Sequence, residues 1–215
     1  MIDKDKNKVT SDREMAEELN KFFFSVFTKD QGKQRASTTP DRVIGDLQIT
    51  PDMVKRKIEK LRPESAAGPD GIGPKLLQEL KEELALALAE IFNDSLRSGD
   101  IPADWRVSNV TLIFKKGQKS DPGNYRPVSL TSVCCKLLES MIKDRLMDHF
   151  QRNNLILPTQ HGFMPGRSCA TNLLEFFETV TAAVDSGSPV DVIFLDFAKA
   201  FDKVPKGPLM TSWRE

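Results

Sequence analysis

The sequence predicts an α+β fold, and three observations carry the prediction. Apolar residues recur at helical spacing over 11–27, 51–61, 74–97, 132–150 and 168–185. Two short runs rich in branched and aromatic residues, 107–114 and 125–130, are separated by turn-forming residues and read as a strand pair. A third such run, 190–196, follows the last helix, so helices and strands are segregated rather than alternating.

The elements are justified in chain order. Ser11 and Glu14 form a capping-box pattern ahead of Met15, Leu19, Phe22, Phe23, Val26 and Phe27. A polar stretch from 29 to about 40 reads as a linker. Thr50 before Pro51 starts the second helix, whose apolar face is Val54, Ile58 and Leu61. The glycines and prolines of 62–73 break the chain before Pro74 opens a long helix carrying Leu77, Leu80, Leu84, Leu88, Ile91 and Leu96. Gly99 stops it, as a residue free to take a left-handed conformation does. A Lys-Lys-Gly turn and an Asp-Pro-Gly-Asn turn lie between the strands of the pair. Val133, Leu137, Met141, Ile142 and Leu146 then share one helix side, and a loop over 151–167 leads to the last helix. The stripes Leu77–Leu96 and Val133–Leu146 read as core, not as sites.

Composition narrows the function classes. The 215 residues are enough for one to two compact domains, and 39% hydrophobic with 29% charged residues reads as a soluble globular chain. Lys+Arg and Asp+Glu are both 31, so a whole-chain basic excess is absent and nucleic-acid binding would need a local patch. Lys115, Lys119, Arg145, Arg152 and Arg167 are candidates for such a patch. Cys134, Cys135 and Cys169 make no C-x-x-C pair and, with His149 and His161, no zinc spacing, so they read as free thiols in a reducing compartment. No apolar run reaches the length of a membrane span, and the start of the chain has no secretory pattern. The expected location is intracellular, nucleus or cytoplasm.

The run Val190-Asp191-Val192-Ile193-Phe194-Leu195-Asp196 is apolar and ends on a carboxylate. A buried strand that closes on Asp delivers its oxygens to a sheet end with little freedom, which suits a hard Mg2+ ion in tight octahedral geometry. Two readings of Asp196 stand at this point: a metal ligand, or a residue that closes the strand and pairs with Lys199 or Lys203.

Residues 193–204, Ile-Phe-Leu-Asp-Phe-Ala-Lys-Ala-Phe-Asp-Lys-Val, resemble the first palm motif of non-LTR (LINE-type) reverse transcriptases. Three upstream stretches resemble the same family in the same order. They are Gly68-Pro69-Asp70-Gly71-Ile72, then Asn124-Tyr125-Arg126-Pro127-Val128-Ser129-Leu130, then Gln160-His161-Gly162-Phe163 with Gly166-Arg167-Ser168. The resemblance covers about 12–205, and chicken-repeat and jockey-type elements are the similar kinds. It implies a helix-rich N-terminal extension followed by the fingers and a partial palm of a right-hand polymerase fold. It implies RNA-directed DNA synthesis, with Mg2+ as cofactor and an RNA template, a DNA primer and deoxynucleotides as partners.

The resemblance also implies roles. Asp196 and the backbone carbonyl of Phe197 would be metal ligands, with Asp196 catalytic. Phe201 would lie under the incoming sugar, although core packing is its plain reading. Lys115, Lys116 and Arg126 would grip the nucleotide triphosphate, Arg126 bidentately; for Lys115 and Lys116 a solvated turn is the rival. Gly68, Pro69, Asp70 and Gly71, with Gln160, Gly162, Phe163 and Arg167, would approach the template, or the glycines serve only tight turns.

The chain departs from the family pattern in two places. It has no Asp-Asp pair, and 206–215 does not resemble the family's continuation. The expected division is 1–49 as helix and linker, 50–205 as a partial polymerase domain, and 206–215 as a divergent tail. The expectation is therefore a reverse-transcriptase fragment, incomplete before its paired-Asp hairpin and without an endonuclease. A non-catalytic RNA- or template-binding module and an inert product of a decayed element are the alternatives.

Overall fold

A computed structural model describes residues 11–26, 44–197, Ala200 and Lys203. The described residues gather in two compact units, one up to Asp144 and one from Arg145 to 197.

In the first unit, helix α1 is Asp12–Val26, and the Ser11 hydroxyl accepts the Glu14 N–H at 3.3 Å. Helix α2 is Pro51–Glu59; the Thr50 side chain accepts from the Met53 N–H, and Pro51 fills the first turn, where no backbone donor is needed. The long helix expected at 74–97 is divided into α3, Pro74–Glu79, and α4, Lys81–Ser98, by Leu80 at ψ 21. Gln78 of α3 reaches the end of α2 and donates to the carbonyls of Ile58 (3.4 Å), which also accepts the Leu61 N–H, and of Leu61 (3.0 Å). Gly99, at φ 73, closes α4 in the left-handed conformation. Helix α5, Val133–Arg152, starts in this unit and ends in the other.

The core of this unit joins Val54 and Ile58 of α2, Leu77 of α3, Ala85, Leu88, Ala89 and Phe92 of α4, and Val133, Leu137, Leu138 and Met141 of α5. Phe92, Ile58 and Val54 have no exposed surface. Ile49 is drawn in although it lies in no helix. Its backbone N–H and C=O are both taken by the Asn93 side chain at 2.8 Å, so neither polar group is buried unpaired. Two ion pairs link α2 to α4, Lys55–Glu82 and Lys81–Glu59, each at 2.5 Å. The hydrogen bond to Glu82 raises the Lys55 pKa, yet such surface pairs orient helices more than they stabilise them.

The sheet is a two-stranded antiparallel hairpin, β1 Ser108–Phe114 and β2 Tyr125–Thr131, with Ile113 opposite Arg126 and Phe114 opposite Tyr125. Two short 3-10 turns accompany it, Ala103–Arg106 before β1 and Pro122–Asn124 before β2. Leu19 of α1 is buried, and Phe22 lies beside Gly123 of the second turn.

The second unit holds the end of α5, the loop that follows it, and α6, Cys169–Asp185. Ser168 caps α6 in a full capping box with Thr171. No residue of α6 is buried. The strand expected over 190–196 does not form: the segment is irregular, and Ile193 (82%) and Leu195 (85%) are exposed rather than buried. A strand needs a ladder partner, and none of the described residues pairs with this segment.

Candidate functional site

The hairpin loop is built to hold one shape. Gly117 takes φ 92, a conformation that favours glycine, and a side chain there would also crowd the Asn124 amide at 2.6 Å. The Asn124 amide donates to the Gln118 carbonyl at 3.0 Å, Asp121 accepts the Gly123 N–H at 2.8 Å, and the Tyr125 hydroxyl donates to the Lys119 carbonyl at 2.9 Å. Phe114 and Tyr125 pack edge to face, and the Lys119 ammonium sits 5.8 Å from the Phe114 ring. Lys119 thus has an aromatic partner of its own.

Arg126 lies opposite Ile113, and the Lys115 N–H donates to the Asn124 carbonyl at 2.8 Å, one step past the last pair of the ladder. Side chains alternate along strands, so Lys115 and Arg126 fall diagonally on the same face. Both are exposed. Lys116, also exposed, belongs to the turn.

The Gly68–Ile72 stretch is a turn seated on the junction between β2 and α5. A methyl group at buried Gly68 would stand 2.6 Å from the Ser132 nitrogen and 2.7 Å from the Thr131 carbonyl group, so glycine lets two backbones of the protein touch. Asp70 accepts the Ile72 N–H at 3.1 Å, and Gly71 takes φ 70. Pro69 and Gly71 are exposed. Next to this turn, burial and the Asp70 carboxylate push the Cys134 thiol up to about 11. Burial and Glu139 push Cys135 up to about 11 as well. Both sulfurs are therefore protonated, poor nucleophiles.

In the second unit, Gln160, Gly162, Phe163 and Arg167 share one exposed loop. The Gln160 amide donates to the Gly162 carbonyl at 2.9 Å, and the Arg167 guanidinium donates to the Pro158 carbonyl. Sequence reasoning missed the group that ties this loop down. His161 places Nε2 2.7 Å from Glu175 and Nδ1 3.0 Å from Thr171, both on α6. Thr171 and Glu175 are one helical turn apart and so share a face, but their spacing alone does not say that His161 meets it.

Asp196 and Phe197 are exposed at the end of the irregular segment. Phe201 and Asp202 lie outside the described residues. Among the described residues, no three of His, Cys, Asp or Glu converge as a metal ion would require. Asp196 belongs to no such group among the described residues, which do not by themselves make up a Mg2+ site. Among the described residues no helix is long and apolar enough to cross a membrane.

Residues 113–214 match the reverse transcriptase (RNA-dependent DNA polymerase) family, a stretch that opens inside β1 and includes β2, α5, the 160–167 loop and Asp196. The chain is 28% identical over 185 residues to the probable RNA-directed DNA polymerase from transposon BS of Drosophila melanogaster, spanning 84% of this chain and 20% of that protein. It is 30% identical over 157 residues to the RNA-directed DNA polymerase from mobile element jockey of Drosophila funebris, spanning 73% of this chain and 17% of that one. To the probable RNA-directed DNA polymerase from transposon X-element of Drosophila melanogaster it is 29% identical over 163 residues, spanning 74% and 18%. The class these matches define is the reverse transcriptase. More narrowly, the chain belongs to the reverse transcriptases of non-LTR retrotransposons, and it spans a fifth or less of each of these three relatives.

Proposed function

We propose that this chain is the fingers and the start of the palm of an RNA-directed DNA polymerase. In that reading 1–49 precede the polymerase domain, 50–205 form part of it, and 206–215 are a divergent tail. The β1–β2 hairpin grips the phosphates of a deoxynucleotide or of the template, and the carboxylate of Asp196 with the Phe197 carbonyl are the chain's own offer toward Mg2+. Phe201 selects the sugar. Gly68 to Gly71 and the loop of Gln160, Gly162, Phe163 and Arg167 flank the template.

The observation that carries the reading is the hairpin register, with Lys115 and Arg126 on one exposed face of a loop braced from within. A guanidinium fork beside an ammonium, both held on a stiff ribbon, matches the oxygens of a polyphosphate better than the same charges on a mobile loop. A second reading, binding of RNA or template without catalysis, needs only the cationic hairpin face and no pair of metal ions.

The test is a titration of labelled single-stranded RNA at two salt concentrations, beside a primer-extension assay with Mg2+ and deoxynucleotides. If about three phosphates are neutralised, affinity falls roughly 10- to 20-fold from about 50 mM to about 200 mM salt. Arg126→Ala with Lys115→Ala weakens binding to all sequences alike and flattens the salt slope by about 0.7 per charge removed. No primer extension is expected from the chain alone. Absence of binding at low salt, or binding indifferent to the double substitution, refutes the reading.

A further inference from the structure

The loop after α5 contains a contradiction that needs a cause. Phe163 is a bulky residue at φ 61, in the left-handed region that side chains normally avoid, and the residue is 91% exposed. An exposed apolar ring gains nothing from burial, and the left-handed backbone is strained, so nothing about Phe163 itself favours this conformation. Two residues earlier the opposite holds. The His161 side chain is only 8% exposed and uses both ring nitrogens, one on Glu175 and one on Thr171. Thr171 also accepts the Ser168 N–H at 2.9 Å in the α6 capping box. The turn between these fixed points closes through Met164 N–H to the His161 carbonyl at 3.4 Å and Arg167 N–H to the Met164 carbonyl at 3.3 Å. Strain at Phe163 is thus maintained by the anchorage of His161, and its result is a ring held out in solvent.

We propose that His161 is a positioning residue which, through Glu175 and Thr171 of α6, holds the 160–167 loop in the shape that offers the Phe163 ring as a stacking platform for an unpaired base of a single-stranded nucleic acid. The inference rests on the polymerase reading of this segment, and it assigns roles to His161, Glu175 and Thr171 that the family resemblance does not. A fixed aromatic face accepts any base, because every base has a π face. Phe163 touches the base; His161 acts only through the loop.

The experiment compares the affinity of the full chain for two short single strands of equal length at low salt, one an RNA with bases and one an abasic ribose-phosphate strand. Both carry the same phosphates, so their ratio isolates base stacking, and a general loss of folding lowers both alike. The parent chain is expected to prefer the base-bearing strand by about tenfold. Phe163→Leu, which keeps apolar bulk without the π face, brings the ratio to about one. His161→Ala and Glu175→Ala do the same, and speed amide exchange at Met164 and Arg167. Glu175→Gln keeps an acceptor for the imidazole N–H and restores most of the preference. A ratio near one in the parent, or a ratio unchanged by Phe163→Leu, overturns the stacking role while salt-dependent binding leaves the polymerase reading standing. A ratio unchanged by His161→Ala overturns the positioning role. A parent chain that binds neither strand overturns both this inference and the reading beneath it.

Discussion

The two units use apolar residues in opposite ways. The first buries Phe92, Ile58 and Val54 completely among four helices, whereas the second carries Leu173, Leu174, Phe177 and Val184 along α6 with every one exposed. The second unit also presents Phe194, although its ring lies 6.2 Å from that of Phe176. The difference shows that helical periodicity decides which residues share a face, while burial requires another face to meet it. In this chain three of the four stretches that resemble polymerase motifs, Gly68–Ile72, the 160–167 loop and the Asp196 segment, lie in turns, loops or an irregular segment. The packed helices carry stability.

The comparison is broken most directly by truncating one aromatic residue in each unit. Phe92→Ala should lower stability by about 3–5 kcal/mol, since it opens a cavity in a dry core. Phe177→Ala should change it by roughly 0.5 kcal/mol or less, as exposed positions do. Urea unfolding of both variants checks this, and similar losses would mean that α6 is packed against something after all.

Glycine replacements sharpen it next. Gly68→Ala forces a methyl group against the Thr131–Ser132 backbone and should cost about 1–3 kcal/mol. Gly166→Ala in the second unit meets nothing within 4 Å and pays only for its left-handed φ of 74, roughly 1 kcal/mol. Thermal melts of the pair test the order.

The third test concerns pH. The Cys134 and Cys135 thiols have folded pKa values of about 11, above the ordinary 9.0, so the folded state holds protons that the unfolded state releases. Their contribution is complete below pH 9.0 and is lost as pH rises toward about 11, on the order of 1–2 kcal/mol for the more deeply buried Cys134. Denaturant midpoints measured across that window should fall in the parent and fall less in Cys134→Ala. Cys169, exposed at the start of α6, should react with a thiol reagent in the folded chain, while the other two react only on unfolding.

Much of this was legible in the sequence because the signals were local. Thr50 with Pro51, Gly99, and Ser11 with Glu14 act within a turn of the helices they start or stop, and Thr50, Gly99 and Ser11 each act as a cap in the fold. The hairpin was legible for the same reason, its turn residues lying directly between its strands. The sequence by itself thus determined the α5 and α6 spans to within two residues, the strand pair, and the resemblance of its motifs. Tertiary structure alone decided the rest. The break at Leu80 reflects where α3 meets α2, through Gln78. The branched run 190–196 reads as a strand from propensity but forms none, because ladder hydrogen bonds must come from another stretch of chain. Gly68 marked a turn, yet its tightest constraint is Ser132, far along the chain, and His161 is tied to Glu175 and Thr171 by hydrogen bonds. Such contacts depend on which faces meet in space, and residue spacing along the chain does not encode that meeting.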